Sequence, residues 1–152
     1  MHNIRRSRPV EILLVEDNPA DVELTLEALE GGKLLNHVSV AKDGLEAMAF
    51  LRKQAPFQDA PRPDLILLDL NLPRKNGFEV LEDVKSDPAL SAIPVIVLTT
   101  SNADRDVVKS YDLKANCYVC KPVELDEFLA FIRSTQEFWL EIVHLPTDPA
   151  LV

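Results

Sequence analysis

Side chains that could bind a cation or a phosphoryl group follow several apolar, strand-like runs of this sequence. Glu16 and Asp17 follow one run, and Asp69 follows another. Thr99 and Lys121 stand at the ends of two more. Parallel strands in open α/β sheets bind ligands beyond their carboxyl ends, so we expect these groups to converge at one edge of a sheet. Each residue alone also has an ordinary structural reading, such as a turn or a solvated amine, and only the combination predicts a site.

Three carboxylates, a hydroxyl and an ammonium group in one place indicate phosphoryl chemistry. Two carboxylates about 5 Å apart repel each other by roughly 3 kcal/mol at an effective dielectric of about 20. A hard divalent cation removes that cost, and Mg²⁺ is suitable because it takes one or two protein carboxylates and bridges to phosphate. A carboxylate can serve as a nucleophile that forms an aspartyl-phosphate. A lysine then supplies a point charge for the phosphoryl oxygens.

The elements that must position these side chains form an alternating pattern. Nearly continuous apolar runs predict buried parallel strands at residues 10–15, 65–68 and 95–98, and weaker runs predict strands at 37–41 and 117–120. Helical patterns lie between and after the strands, at residues 21–29, 44–53, 77–85, 103–113 and 123–143. Strands that alternate with helices predict an α/β fold with a doubly wound, five-stranded parallel sheet.

Composition limits the class of protein. The 152 residues are 47% hydrophobic, which suits one globular domain, and no apolar run approaches the roughly 20 residues of a transmembrane helix. The basic N-terminus lacks the apolar stretch of a secretory signal, so we expect a cytoplasmic protein without a membrane partner. The net charge of -9 argues against nucleic-acid binding. Cys117 and Cys120 have the spacing of a redox or zinc pair, but three residues apart on a strand they point to opposite faces.

Four motifs together resemble the response-regulator receiver domain of two-component and phosphorelay systems. They are ILLVEDN at 12–18, LLDLNLP at 67–73 with Asn-Gly at 76–77, PVIVLTT at 94–100, and YVCKP at 118–122. The resemblance covers roughly residues 10–133. It implies a flavodoxin-like strand order of 2-1-3-4-5, followed by an extended C-terminal helix.

The resemblance implies a role for each acidic and basic side chain. Asp69 accepts the phosphoryl group from the phosphohistidine of a sensor histidine kinase, and Lys121 contacts the phosphoryl oxygens. Asp17, Asp69 and the backbone carbonyl of Asn71 bind Mg²⁺. Glu16 stands where many relatives have Asp, and it acts on the cation through a bound water.

The resemblance also implies that the chain is a switch. Its only expected catalytic activities are self-phosphorylation and slow autodephosphorylation. Thr99 moves to hydrogen-bond the phosphoryl group, and Tyr118 changes rotamer with it. The state is then displayed on the face formed by the fourth helix, fifth strand and fifth helix. The Lys121–Pro122 peptide is expected to be cis, which proline permits at a cost of about 1 kcal/mol.

Looser motifs resemble a narrower group, the stand-alone regulators paired with phytochrome-type light-sensing kinases. They are NPAD at 18–21 with LTL at 24–26, LTTS at 98–101, and FWL at 138–140 near HLP at 144–146. The partner implied by this resemblance is a phytochrome-type histidine kinase.

The last predicted helix carries a second apolar stripe in addition to the one that packs on the sheet. Phe131, Phe138 and Ile142 form the second stripe, while Trp139 continues the first stripe past the end of the sheet. We expect a symmetric homodimer through this helix, although a helix folded back under a loop would also cover the stripe. With no DNA-binding domain expected to follow, the output is a protein contact. The predicted segments are an N-terminal arm at 1–9, the receiver domain at 10–133, and a helix extension and tail at 134–152.

Two other functions fit part of the pattern. A Mg²⁺-dependent phosphatase could use Asp69 as nucleophile, but such enzymes need a second carboxylate two residues later, where this chain has Asn71. A scaffold that has lost phosphorylation remains the other alternative, although every residue that phosphorylation requires is present.

Overall fold

The computed structural model describes residues 9–30, 36–100, 104–121 and 130. The strands are β1 Val10–Val15, β2 Asn36–Ala41, β3 Leu65–Leu68, β4 Val95–Thr99 and β5 Cys117–Cys120. The helices are α1 Pro19–Glu30, α2 Gly44–Leu51, α3 Gly77–Ser86 and α4 Asp104–Asp112. No helix in these ranges is long and apolar enough to cross a bilayer.

Several predictions from the sequence fall outside the described residues. These are the N-terminal arm, the last helix, the conformation of the Lys121–Pro122 peptide, and the dimer interface of Phe131, Phe138, Trp139 and Ile142.

All strand pairs are parallel, and the order of the sheet is β2-β1-β3-β4-β5. This confirms the α/β class and the flavodoxin-like order. Every side chain of β3 and β4 is buried, as expected for central strands covered on both faces. The edge strand β2 is mostly half-buried, which explains its weaker apolar run.

Alternate side chains of the strands enter two separate cores, because successive residues of a strand point to opposite faces. One core includes Leu13, Val15, Ile66 and Leu68 and is covered by α2 and α3, with Ala47, Met48, Val80, Leu81 and Val84. The other includes Ile12, Leu14, Leu65 and Leu67 and is covered by Ala28 and Leu29 of α1. Helices therefore cover both faces of the sheet, as the doubly wound prediction requires.

Polar side chains fix the starts of α1 and α3 close to the strands that precede them. Asn18 Oδ1 accepts from the backbone N–H groups of Ala20 and Asp21, at 2.9 and 3.2 Å. Helix α1 therefore begins at Pro19, two residues before the predicted start. Asn76 and Glu79 form a capping box at the start of α3. These caps place the first turns of α1 and α3 directly beside the carboxyl ends of the strands.

Candidate functional site

The polar residues beyond β1, β3 and β5 are positioned by continuation of the sheet hydrogen bonds. The N–H of Glu16 donates to the carbonyl of Ala41 at 3.0 Å, and the N–H of Asp69 donates to that of Val15 at 3.0 Å. The N–H of Lys121 donates to the carbonyl of Thr99 at 2.7 Å. Each functional side chain thus begins from backbone that the sheet holds in register. The predicted convergence at one edge is present.

Glu16, Asp17 and Asp69 form a carboxylate cluster. Each offers an oxygen that lies within 4.8 Å of an oxygen of the others. Glu16 and Asp69 are buried, while Asp17 is exposed to solvent. Oxygen donors that are partly open to water fit a hard divalent cation, which typically keeps several water ligands.

Lys121 lies against this cluster and contacts three carboxylates. Its Nζ donates to Glu16 Oε1, to Asp21 Oδ2 at 2.8 Å and to Asp69 Oδ2 at 3.3 Å. The lysine side chain is only 5% exposed. An ammonium group has three N–H donors, so these acceptors satisfy all of them. Burial acts to lower the pKa of Lys121, but the bonds to Asp21 and Glu16 and the nearby charges outweigh it, and the pKa rises above its usual value.

The environment of Glu16 favours the protonated form of its carboxyl group. Burial, together with the adjacent Asp69, raises the pKa of Glu16 to about 7, even though Lys121 acts to lower it. Glu16 Oε2 also accepts the N–H of Asn18, at 3.3 Å. Glu16 therefore binds a proton more tightly than an ordinary glutamate side chain does.

Asn71 joins Asp69 to the end of the next strand. Its N–H donates to Asp69 Oδ1 at 3.1 Å, and its side-chain amide donates to Thr99 Oγ1 at 3.4 Å. Thr99 is fully buried. Asp69, Asn71 and Thr99 therefore form a continuous chain of hydrogen bonds across β3 and β4.

Tyr118 lies on the face of the sheet to which Thr99 belongs. It is paired with Val97, two residues before Thr99 on β4, and packs against the core on the α2 and α3 side. Its backbone N–H donates to the hydroxyl of Tyr111 on α4, at 3.2 Å. The structure thus places Glu16, Asp17, Asp69, Asn71, Thr99 and Lys121 at one edge of the sheet, with Tyr118 on the same sheet face as Thr99. The four predicted interface residues lie outside the described ranges.

Two residues near the site had no predicted role. Asp21 was known only as the predicted start of a helix and as part of the NPAD motif. Gly77 is likewise predicted only as a helix start and as part of a motif, yet a Cβ atom there would lie 2.4 Å from the Asp69 carbonyl oxygen and 2.5 Å from Leu70 Cα. The chain after Asp69 folds back so closely that only glycine fits.

Comparisons with known proteins agree with this geometry. A family model described as response regulator receiver domain matches residues 12–133. The chain is 48% identical to response regulator Rcp1 of Synechocystis sp. over 138 residues, which is 91% of this chain and 94% of that protein. It is 38% identical to the probable methanogenesis regulatory protein FilR2 of Methanothrix harundinacea, over 87% of this chain and 84% of that one.

Solved structures are similar over nearly the same length. The crystal structure of the phosphorylated cyanobacterial phytochrome response regulator RcpA superposes with a TM-score of 0.90 and 48% identity, covering 92% of this chain and 100% of that one. The Mn²⁺-bound form of response regulator Rcp1 gives a TM-score of 0.89 and 47% identity, covering 91% and 100%.

Replacement of Gly77 by alanine should destabilise the protein. Alanine is the better helix former, so the substitution would be stabilising if space allowed. Because the new methyl group meets backbone atoms of Asp69 and Leu70, we expect a loss of about 1–3 kcal/mol in the free energy of unfolding, measured by urea denaturation. Glu82→Ala, at an exposed position of the same helix, is the control and should change stability by less than about 0.5 kcal/mol. A stabilised Gly77→Ala variant would show that the close approach is wrong.

The raised pKa of Glu16 predicts a pH dependence of stability when divalent cations are removed. The folded state holds the Glu16 proton more tightly than the unfolded chain does, so this contribution is fully present below about pH 4.5 and is lost as pH rises through about 7. Urea denaturation in EDTA across this range should show the wild type losing stability relative to Glu16→Gln, which has no proton to release. Parallel pH profiles for the two proteins would contradict the prediction.

Proposed function

The chain belongs to the response regulator receiver domain family, and from this premise we propose that it is a phospho-acceptor switch whose Asp69 receives a phosphoryl group from a histidine kinase. The observation that carries the proposal is the position of Lys121 Nζ, 3.3 Å from Asp69 Oδ2 and beside a carboxylate cluster suited to a divalent cation. Nucleophile, positive charge and cation ligands therefore occupy one site.

In the proposed step, a carboxylate oxygen of Asp69 attacks the phosphorus of a phosphohistidine. A P–O bond forms as the P–N bond breaks, and the electron pair stays on the imidazole nitrogen, which takes up a proton as it leaves. Lys121 lies beside Asp69 before the attack and offers an N–H to the phosphoryl oxygens afterwards. The backbone N–H of Asn71 holds the other carboxylate oxygen, so the nucleophile has a fixed orientation.

We propose Mg²⁺ as the cation. Asp17, Asp69 and the carbonyl of Asn71 would hold it directly, and Glu16 would hold it through water. When bound, it would neutralise charge on the cluster and on the phosphoryl oxygens. Support comes from the oxygen-only donor set of the cluster and from the similarity to an Mn²⁺-bound relative.

Thr99 and Tyr118 are proposed to report the phosphorylated state. The Thr99 hydroxyl already contacts Asn71, next to the acceptor, so a new phosphoryl oxygen could take over that hydroxyl. Tyr118 shares the same sheet face and is joined through its backbone to Tyr111 of α4. A shift of Thr99 would therefore reach the surface near α4 and β5, where a partner protein could read it.

The relatives support a light-signalling context. Because RcpA is described as a phytochrome response regulator, we propose a phytochrome-type sensor kinase as the donor. A cytoplasmic location, the absence of a nucleic-acid or membrane partner, and homodimerisation remain predictions from the sequence, as do the segment bounds 1–9, 10–133 and 134–152.

Phosphorylation of Asp69 can be tested with acetyl phosphate and Mg²⁺. Intact-mass analysis of the full chain should show one added phosphoryl group on the wild type and none on Asp69→Asn, because an amide is not a nucleophile under these conditions. The exposed Asp59→Asn is the matched control and should be phosphorylated like the wild type. Chelation of divalent cations with EDTA should abolish the gain in mass. Phosphorylation of Asp69→Asn at the wild-type rate would refute the proposed acceptor.

Dimerisation through the last helix can be tested by light scattering. We expect the phosphorylated wild type to approach twice the chain mass of 17.0 kDa and to do so at lower concentration than the unphosphorylated protein, as coupling between site and interface requires. Phe138→Glu should remain monomeric because the substitution places a charge in the apolar stripe. Leu45→Glu, at an exposed apolar position of α2, is the control and should associate normally. A monomeric phosphorylated wild type would contradict the prediction.

A further inference from the structure

Lys121 is held by a carboxylate that does not belong to the carboxylate cluster. Asp21, in the first turn of α1, accepts from Lys121 Nζ at 2.8 Å, which is shorter than the 3.3 Å contact to Asp69. Among the described residues, the cluster that could hold a cation consists of Glu16, Asp17 and Asp69 and does not include Asp21. The Asp21 side chain is 27% exposed, compared with 5% for Lys121, so it approaches the lysine from the solvent side.

We propose that Asp21 is a positioning residue for phosphoryl transfer, an inference that rests on the proposed function of Asp69. A tetrahedral ammonium group has three N–H bonds in fixed relative directions. Glu16 and Asp21 take two of them, which directs the third at Asp69. The lysine is thereby oriented before any phosphoryl donor arrives. Its long side chain loses conformational entropy when the protein folds, so this loss does not add to the barrier of the reaction.

Asp21 is suited to this role because it is itself firmly held. Its backbone N–H is bonded to the capping side chain of Asn18, and its carbonyl accepts the buried Thr25 hydroxyl at 2.8 Å. The carboxylate lies in the first turn of a helix, where the helix dipole favours a negative charge. A residue mounted on a capped helix places the lysine more reproducibly than a residue on a loop would.

Glu16 cannot hold the lysine in the same way. Its oxygens also belong to the carboxylate cluster, so a bound cation and Lys121 share one side chain. Among the described residues, the Asp21 carboxylate contacts Lys121 and lies outside the carboxylate cluster. When Asp69 becomes an acyl phosphate, its negative charge moves to the phosphoryl oxygens. The N–H that pointed at Asp69 is then available to them without release of Asp21.

The test is the rate of phosphorylation of the full chain by acetyl phosphate and Mg²⁺, followed by intact mass. Asp21→Ala should be slowed about tenfold, in line with loss of a hydrogen bond to a charged group. Asp21→Asn keeps an acceptor oxygen without the charge and should recover part of the rate. Glu23→Gln removes the same charge from an exposed position of α1 and should match the wild type. Asp21→Ala at the wild-type rate would overturn the inference.

A double variant separates positioning from a general effect on the fold. If Asp21 acts through Lys121, Asp21→Ala should have no further effect on the rate in a Lys121→Ala background. Equal slowing in both backgrounds would overturn the inference in favour of a structural role. If Asp21→Ala does not fold, the same comparison is made with Asp21→Asn. A wild type that takes no phosphoryl group would instead refute the proposed function itself, so the two failures are distinguishable.

Discussion

The attraction between one ammonium group and the carboxylates around it is the interaction on which the site depends. Among the described residues, Lys121 contacts Glu16, Asp21 and Asp69 while almost fully buried. Adjacent parallel strands β1 and β3 necessarily bring their terminal carboxylates together, and without a positive charge these would repel each other. Because one lysine faces several carboxylates, this edge of the sheet still carries excess negative charge. That excess is what makes the edge receptive to a divalent cation.

The same arrangement connects the site to the rest of the fold. Lys121 follows β5, while its three partners belong to the end of β1, the start of α1 and the end of β3. From Asp69 a second path of hydrogen bonds leads through Asn71 to Thr99 on β4. A change of charge or size at Asp69 therefore acts on groups from most of the sheet at once. This is the physical basis on which a small covalent change can alter a distant surface.

Local patterns predict the strands and the convergence of polar residues at one edge of the sheet, whereas the strand order and the role of each site residue are implied only by the family resemblance. The continuous apolar runs of β3 and β4 mark central strands, and in a parallel sheet the residues after such strands must share an edge. The contact between Asp21 and Lys121 spans 100 residues and joins a helix to a strand, so no spacing rule reveals it. The close approach of the Asp69 and Leu70 backbone to Gly77 also cannot be predicted from the sequence, because a motif gives the residue type and not its distance to neighbouring backbone atoms. Apolar periodicity alone puts the start of α1 at Asp21, because the first turn that Asn18 caps contains no apolar residue of the buried face.

The position two residues after Asp69 distinguishes the proposed switch from a phosphatase of similar architecture. A phosphatase of that kind needs a carboxylate there to move protons, whereas Asn71 carries an amide that does not titrate near neutral pH. Its backbone N–H already donates to Asp69, and its side-chain amide already donates to Thr99. In this chain Asn71 instead joins Asp69 to Thr99 at the end of β4. Under the proposed function, a phosphoryl group on Asp69 would alter that connection directly, at the residue whose carbonyl belongs to the proposed cation site.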